Sequence, residues 1–219
     1  MDEIILIDKP SSMTSFGVVA RLRRVFSKEA GKKVKVGHTG TLDPFATGLM
    51  IIVTGKECRN AMIYTKLDKV YEATFVLGQT STTGDPEGEI TVMDGERRPK
   101  DEEIARVLKQ FTGEIKQRPP IFSAIKIDGR RAYKLARDGK EIEMPERTVT
   151  IHSLERVSYN YPELKIRTHV SSGTYIRSLA VDIGESLGTG AYTSELRRTR
   201  IADYDVSQAK TLADFGINN

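Results

Sequence analysis

The stretch Gly37-His38-Thr39-Gly40-Thr41-Leu42-Asp43-Pro44-Phe45-Ala46-Thr47-Gly48 surrounds one carboxylate with glycines and a proline. The glycines permit tight backbone turns, and Pro44 fixes its own φ and lacks an N–H donor. Asp43 is therefore expected on a rigid irregular loop rather than on a helix face. An Asp-Pro pair in such a loop can also serve only to cap a turn. The length and the residues of this loop favour a positioned catalytic acid.

The loop lies between two predicted strands. Before it, Lys33-Val34-Lys35-Val36 alternates polar and apolar residues, as a half-buried strand does. After it, Leu49-Met50-Ile51-Ile52-Val53 is an unbroken apolar run, which suits a buried strand. The sequence therefore predicts a loop that is held by the two elements on either side of it.

Helices and strands alternate along the rest of the chain. Apolar residues at helical spacing predict three helices, over about residues 14–27, 100–111 and 174–187. Alternating and β-rich runs predict further strands at residues 4–7, 70–77, 148–157, 164–170 and 193–201. Because no repeat or linker interrupts this series, the expected fold class is α+β.

The composition is that of an ordinary globular protein. The chain has 219 residues, of which 38% are hydrophobic and 29% charged, and its formal net charge is +4. No apolar run approaches the roughly 20 residues that span a bilayer. Cys58 is the single cysteine, which excludes an internal disulfide, and the N-terminus shows no leader pattern. We therefore expect a cytoplasmic protein with no membrane partner.

Charge is unevenly distributed along the chain. Residues 21–35 carry seven basic side chains against the single acid Glu29, whereas residues 85–103 carry eight acids against three bases. One region of the surface should therefore be positive and attract a polyanion. A cluster of this kind can also be a solvated helix face.

The loop motif Gly-His-Thr-Gly-Thr-Leu-Asp-Pro resembles the catalytic motif of the TruB family, whose members convert uridine 55 in the T loop of tRNA to pseudouridine. The resemblance continues in the same order along nearly the whole chain, in the blocks Asp8-Lys9-Pro10 with Thr14-Ser15, Lys69-x-Tyr71, Gln117-x-Pro119-Pro120-x-Phe122-Ser123-Ala124, Gly173-Thr174-Tyr175-Ile176-Arg177 and Leu196-Arg197-Arg198-Thr199. It implies the pseudouridine synthase fold, a mainly antiparallel mixed β-sheet flanked by helices.

The resemblance also implies a domain organisation. Residues 1–219 are expected to form a single catalytic domain, with residues 118–147 as a thumb-like insertion that closes over RNA in bacterial members. This segment carries eight bases against five acids and two Asp-Gly turn signals. It can equally be an exposed connection. Because the chain ends soon after Arg198, the small C-terminal RNA-binding domain of many members is expected to be absent.

Three residues match the catalytic positions of the family. Pseudouridine formation breaks the C1′–N1 bond, turns the uracil and forms a C1′–C5 bond, so an anionic group is needed near C1′. The resemblance assigns this group to Asp43, which could add to the sugar or take a proton from C2′. Arg177 is expected to pair with Asp43 and to favour its charged form. Tyr71 would stack on the extruded uracil, with its hydroxyl as an acid or base at C5.

Five further residues match positions that bind substrate or support the site. By resemblance, His38 stacks in the vacated part of the T loop and Leu196 helps to wall the uracil pocket. Asp85 is expected to contact a nucleotide beside the target, although it could equally be a turn residue. Lys9 and Pro10 are expected to give structural support.

Neither a metal nor a cofactor is expected. The histidines His38, His152 and His169 are scattered in the sequence and Cys58 is alone, so nothing indicates zinc. A phosphate-binding loop at Gly48 to Lys56 is excluded, because six residues rather than four separate its glycines.

The expected partner is the T arm of tRNA, bound by a monomer. Two alternatives stay open: a non-catalytic module that binds and folds tRNA in the same cleft, and a guide-RNA-dependent pseudouridine synthase acting on rRNA. The joint presence of Asp43, Tyr71 and Arg177 argues for turnover, and the thumb segment argues against a guide RNA.

Overall fold

A computed structural model of the chain describes residues 2–95, 97–123, 125–127, 129–132, 135, 138 and 143–217. The chain divides into two compact units, one formed by residues 1–72 and 195–219 and the other by residues 73–194. Among the described residues, no helix is both long and apolar enough to cross a membrane.

The helices and strands follow one another in mixed order along the chain. The α-helices are α1 (Ser15–Glu29), α2 (Ala61–Thr65), α3 (Asp101–Gln110) and α4 (Ile176–Ser186). The strands are β1 (Ile4–Lys9), β2 (Val36–His38), β3 (Thr47–Thr54), β4 (Lys69–Leu77), β5 (Gln79–Ser81), β6 (Ile90–Val92), β7 (Gly113–Gln117), β8 (Lys126–Ile127), β9 (Arg130–Arg131), β10 (Arg147–Asn160), β11 (Glu163–Val170), β12 (Ala191–Ile201) and β13 (Tyr204–Asp205).

The first unit contains a small mixed sheet in the strand order β1-β3-β12-β4. Of the last two strands, only the end of β12 and the start of β4 belong to this unit. β1 pairs antiparallel with β3 from Ile4 opposite Val53 to Lys9 opposite Gly48, and β2 also pairs antiparallel with β3. β12 runs parallel to β3 where Arg198 lies opposite Gly48. The side chains of β3 are almost completely buried, as its apolar run predicts.

Helix α1 begins where the sequence predicts it. The Thr14 side chain accepts a hydrogen bond from Gly17 N and caps the helix. Val18, Val19, Leu22 and Phe26 form the buried face. The spacing of these residues places them on one side of an α-helix, so the prediction of an amphipathic helix is confirmed.

The second unit contains a sheet in the strand order β12-β4-β11-β10-β7, with the start of β12 and the end of β4 as its first two strands. β10 pairs antiparallel with β11 and with β7. The predicted helices at residues 100–111 and 174–187 are present as α3 and α4. β5 and β6 form a separate hairpin that the sequence pattern did not predict.

These elements confirm the predicted α+β class, with a mainly antiparallel mixed sheet. The predicted thumb at residues 118–147 falls partly on residues 124, 128, 133, 134, 136, 137 and 139–142, which lie outside the described residues. Its described part contains the short ladder of β8 and β9. Its closure over RNA, and the treatment of residues 1–219 as one domain, stay predictions.

Candidate active site

The loop that carries Asp43 begins directly after β2 and is tied to β3. Thr39 N donates to Ile51 O at 3.2 Å, and the buried Thr39 hydroxyl donates to the same oxygen at 3.4 Å. Ala46 N donates to Asp43 O at 3.2 Å, which closes a four-residue turn around Pro44. Asp43 itself is half-buried. The carboxylate therefore projects from a turn whose two ends are fixed by backbone hydrogen bonds.

Helix α1 holds the centre of the same loop. The buried Ser15 hydroxyl donates to Leu42 O at 2.9 Å and accepts from Leu42 N at 2.8 Å. These two hydrogen bonds satisfy the backbone N–H and C=O of Leu42, the residue that precedes Asp43. Because Leu42 is also 3% exposed, its position cannot shift without loss of buried contacts.

Lys9, at the end of β1, is a fully buried cation beneath the loop. Its ammonium donates to Pro10 O at 2.8 Å, Met13 O at 2.6 Å and Pro44 O at 3.1 Å. Carbonyl oxygens thus surround a charge that would otherwise be costly to bury. The contact with Pro44 O fixes the peptide that follows Asp43.

Arg198 is a second fully buried cation at the loop. Its Nε donates to Leu49 O at 2.7 Å and its Nη2 to Gly40 O at 3.3 Å, so one side chain joins β12 to β3 and to the loop. Gly48 has φ +105, and a Cβ there would lie 2.7 Å from Arg198 N. Only glycine can occupy this position beside the backbone of β12.

Tyr71 and Leu196 lie on the two neighbouring strands β4 and β12, and both side chains are less than a tenth exposed. Lys69 precedes Tyr71 by two residues and is also buried, so both side chains leave the same face of β4. The Lys69 ammonium donates to Thr65 O at 2.8 Å and to Leu67 O. Burial, reinforced by the charge of Arg198 and partly offset by Asp68, lowers the pKa of Lys69 to about 8.

Arg197 faces away from Arg198 on β12 and forms a two-pronged ion pair with Asp8. The two guanidinium–carboxylate distances are 3.1 and 2.7 Å, and the hydrogen bonds raise the pKa of Arg197. Residues beside this pair line a cavity of about 410 Å³ in the first unit, among them Pro10, Thr47 and Leu212. The sequence motif contained both charged residues, but their pairing was not predicted.

In the second unit, Arg177 occupies the first turn of α4 and is 3% exposed. Its Nη1 donates to Thr83 O at 2.8 Å and to Asp85 Oδ2 at 2.9 Å, and its Nη2 donates to Phe122 O at 2.9 Å. One guanidinium therefore joins α4 to two distant loops. Asp43 belongs to the first unit, and its expected pairing with Arg177 stays a prediction.

Asp85 is buried with Arg177 rather than exposed to solvent. Its other carboxylate oxygen accepts from the Thr83 hydroxyl at 2.6 Å and from Glu87 N at 3.0 Å. The latter bond is the side-chain turn that the Gly-Asp-Pro sequence suggested. The carboxylate thus has protein donors on both oxygens, and its expected contact with a nucleotide stays a prediction.

The Gln117 side-chain amide, at the end of β7, holds the backbone directly before α4. Gln117 Nε2 donates to Tyr175 O at 3.0 Å, and Gln117 Oε1 accepts from Tyr175 N at 2.8 Å. Arg147 covers the Tyr175 ring, with its guanidinium carbon 4.7 Å from the ring centroid. These contacts fix the backbone that leads into Arg177, and the family motif alone did not indicate them.

A cavity of about 300 Å³ lies beside Arg177 in the second unit. Besides Arg177, its lining combines hydroxyl groups, an apolar wall, a second arginine and one carboxylate, among them Ser81, Thr82, Thr83, Arg118, Pro120, Ile121, Phe122, Ser178, Val181 and Asp182. Burial, and to a lesser extent the charge of Glu185, raises the pKa of Asp182 to about 6.

Two histidines that are far apart in the sequence are neighbours in the second unit. His152 on β10 and His169 on β11 have ring centroids 4.6 Å apart. These two residues are 17 positions apart in the sequence, and the pairing of β10 with β11 brings them together, which the sequence pattern did not predict. His38 is the last residue of β2 and is half-buried, and its role in the T loop stays a prediction.

The sequence of this chain matches two family models. A family model described as TruB family pseudouridylate synthase (N terminal domain) matches residues 23–176. A second model, described as tRNA pseudouridylate synthase B C-terminal domain, matches residues 177–217. The segment from α4 onward therefore resembles a region that belongs to the C-terminal part of such proteins.

Curated proteins named tRNA pseudouridine synthase B are similar to this chain over nearly its whole length. The protein from Phocaeicola vulgatus is 44% identical over 214 residues, which cover 97% of this chain and 91% of that protein. The protein from Azoarcus sp. is 45% identical over 212 residues, which cover 97% of this chain and 69% of that protein.

Two solved structures superpose on nearly the whole of this chain. The structure of a Cbf5-Nop10-Gar1 complex superposes with a TM-score of 0.74 at 32% identity, over 96% of this chain and 52% of the matched chain. The structure of an H/ACA RNP bound to a substrate RNA containing 2′-deoxyuridine superposes with a TM-score of 0.70 at 29% identity, over 96% and 51% of the two chains. This chain spans about half the length of those matched chains.

Proposed function

The chain belongs to the TruB family of pseudouridylate synthases, and we infer from this membership that it isomerises uridine 55 in the T loop of tRNA to pseudouridine. The observation that carries the proposal is the family loop around Asp43, whose backbone is held by the buried cations Lys9 and Arg198. A loop whose carbonyl oxygens are held by buried cations can present one carboxylate to a sugar carbon with little reorganisation.

The reaction is an isomerisation in which no atom is gained or lost. The C1′–N1 bond breaks and its electron pair remains on the uracil, which turns within the site. C5 then forms a bond to C1′, the hydrogen at C5 leaves as a proton, and N1 carries a proton in the product. Asp43 acts at the sugar, either by adding to C1′ or by removing a proton from C2′.

Tyr71 and Arg177 complete the proposed machinery. The buried ring of Tyr71 gives the extruded uracil a stacking surface, and its hydroxyl moves the C5 proton as an acid or base. Arg177 supplies the buried positive charge of the second unit. Leu196, on the strand beside Tyr71, contributes an apolar wall to the base-binding site.

The expected substrate element is the T arm, which a monomer recognises in the cytoplasm, where tRNA is modified. The target uridine lies in the loop of that arm, so the catalytic loop and the residues around it meet this hairpin first. We propose that an isolated T-arm stem-loop is modified with a catalytic efficiency within about tenfold of that for full-length tRNA, a difference of about 1.4 kcal/mol in transition-state binding.

Release of tritium from uridine labelled at C5 tests the proposal directly, because the C5 hydrogen leaves as a proton during isomerisation. Purified protein alone should release one equivalent from a T-arm hairpin and none from a hairpin with cytidine at the target. Tight binding without release would show the tRNA-binding module instead. A reactive full-length tRNA beside an inert hairpin would place recognition beyond the T arm.

A further inference from the structure

The basic stretch near the N-terminus is physically connected to the catalytic loop. Helix α1 begins at Ser15, whose hydroxyl holds Leu42 on both backbone groups, directly before Asp43. A group at the start of α1 is therefore close to the proposed site of reaction, and groups further along the helix lie progressively farther from it. At 1.5 Å per residue, α1 extends for about 20 Å.

Three cations form a stripe along the solvent side of this helix. Arg21, Arg24 and Lys28 are exposed, and their spacing of three and four residues places them on one line opposite the buried face. They span about 10 Å of the helix axis. Among the described residues, none of the three lies within ion-pair distance of a carboxylate. Their charge is therefore available to a ligand.

The first cation of the stripe bends back toward the start of α1. Arg21 Nη1 donates to Gly17 O at 3.3 Å, and a Cβ on Gly17 would lie 3.4 Å from the same nitrogen. The guanidinium therefore lies over the first turn of α1. Ser15, which holds the loop, is part of that turn.

An exposed aromatic ring lies in the first turn of α1, on a different flank of the helix from the stripe. Phe16 is 63% exposed, and the Arg23 guanidinium lies 5.9 Å from its ring centroid. Aromatic rings and arginines together are typical of surfaces that follow a nucleic acid strand. The ring is not needed in the core, because Val18, Leu22 and Phe26 already fill the buried face.

From this placement we propose that α1 is a phosphate track for the RNA stem, in which Arg21, Arg24 and Lys28 contact successive phosphates of one strand that leads away from the target uridine. The inference rests on the proposed function, and it adds a recognition surface that the catalytic residues do not require. Contacts of this kind position the RNA without reading its sequence, and each releases condensed counterions.

The test compares two triple variants with the same change in charge. One is R21Q/R24Q/K28Q on α1, and the control is R106Q/K109Q/K165Q, which removes three exposed cations of the second unit. Dissociation constants for a T-arm hairpin are measured by fluorescence anisotropy across a series of salt concentrations. A second hairpin has the same loop but a stem of two base pairs.

The α1 variant should bind the full hairpin about tenfold more weakly at low salt, and its plot of log affinity against log salt should be shallower by about 2.7 units, as three lost phosphate contacts to a duplex require. The control should stay within twofold of the parent protein. On the shortened hairpin, the two variants should bind alike. Equal salt slopes for both variants on the full hairpin would overturn the proposal and identify α1 as a solvated face.

The outcomes separate this inference from the proposed function. If the parent protein releases tritium and the α1 variant has an unchanged salt slope, the phosphate track is refuted and the synthase proposal is supported. Absence of release by the parent protein would refute the synthase, whatever the slopes. A loss of affinity by the α1 variant that persists on the shortened hairpin would also contradict the track, since the stem would not be its ligand.

Discussion

Arg177 and Asp85 form a buried ion pair in which Nη1 and Oδ2 are 2.9 Å apart and each side chain is 4% exposed. The pair joins the first turn of α4 to the loop after β5. The remaining Nη2 of Arg177 bonds Phe122 O. A buried arginine with this many partners is held in one orientation. Its positive charge is therefore preorganised for any group that interacts with it.

Replacement of Asp85 by asparagine should destabilise the protein strongly. The change removes the carboxylate that pairs with the buried Arg177 guanidinium, and the loss of one partner of a buried ion pair costs about 3–5 kcal/mol. The matched control is D138N, which breaks the Arg130–Asp138 pair in the same unit, where both side chains are 51% exposed. The control should change the unfolding free energy by less than about 1 kcal/mol. Urea unfolding of both variants gives the comparison, and equal effects would contradict the prediction.

Replacement of Asp43 by asparagine should abolish pseudouridine formation and leave the fold intact. Amide and carboxylate are nearly the same size, and the loop is held through its backbone at Gly40, Leu42 and Pro44. Tritium release measures turnover, and circular dichroism measures folding. D203N, an exposed aspartate of the same unit, is the control and should retain full activity. Release by purified D43N above background would refute the role of this residue.

Replacement of Tyr71 by phenylalanine should lower the single-turnover rate by at least about a hundredfold, because the ring is kept and the proton-transferring hydroxyl is lost. Hairpin affinity should change by less than about threefold, since stacking uses the ring. Y204F removes a hydroxyl elsewhere in the same unit and should retain the parent rate. An unchanged rate in Y71F would make Tyr71 a stacking surface only.

Replacement of Gly48 by alanine should separate β3 from β12. The new Cβ would overlap the backbone of Arg198 at a φ of +105. Strain at positive φ and the forced shift of both strands together should cost at least about 3 kcal/mol. Gly31 is the matched control, because its φ is +64 and nothing lies within 4 Å of the Cβ position. G31A should cost only about 1 kcal/mol, and similar melting temperatures for the two variants would contradict the overlap.

Lys69 should make stability depend on pH in the alkaline range. Burial lowers the pKa of its ammonium from 10.5 to about 8, so the folded chain releases this proton before the unfolded chain does. Between pH 8 and 10.5 the unfolded state binds more protons at this site, and the free energy of unfolding of the parent protein should rise relative to that of K69M. Below pH 8 the difference should be constant.

Urea unfolding of both proteins at pH 7, 8, 9 and 10 gives this difference. K56M, which removes an exposed lysine of the same unit, should show no such trend relative to the parent. A difference between parent and K69M that does not change with pH would show that the ammonium is no harder to charge in the folded protein than in the unfolded chain.

Local patterns were sufficient to predict the longer elements of this fold, those of six or more residues. The buried run in β3 and the helical spacing in α1, α3 and α4 arise from the burial of one face, which leaves its period in the sequence. The short hairpin of β5 and β6 has no such signature, because all three residues of β6 are exposed. It was therefore missed.

The sequence by itself determined the family, the α+β class and the loop that carries Asp43, since each depends on residues that are neighbours in the chain. Only the tertiary structure decided which side chains hold that loop and the second-unit arginine. Arg198 reaches Gly40 across 158 positions, and Arg177 reaches Asp85 across 92. Such partners are set by strand order and register, which bring distant residues together and leave no periodic trace in the sequence.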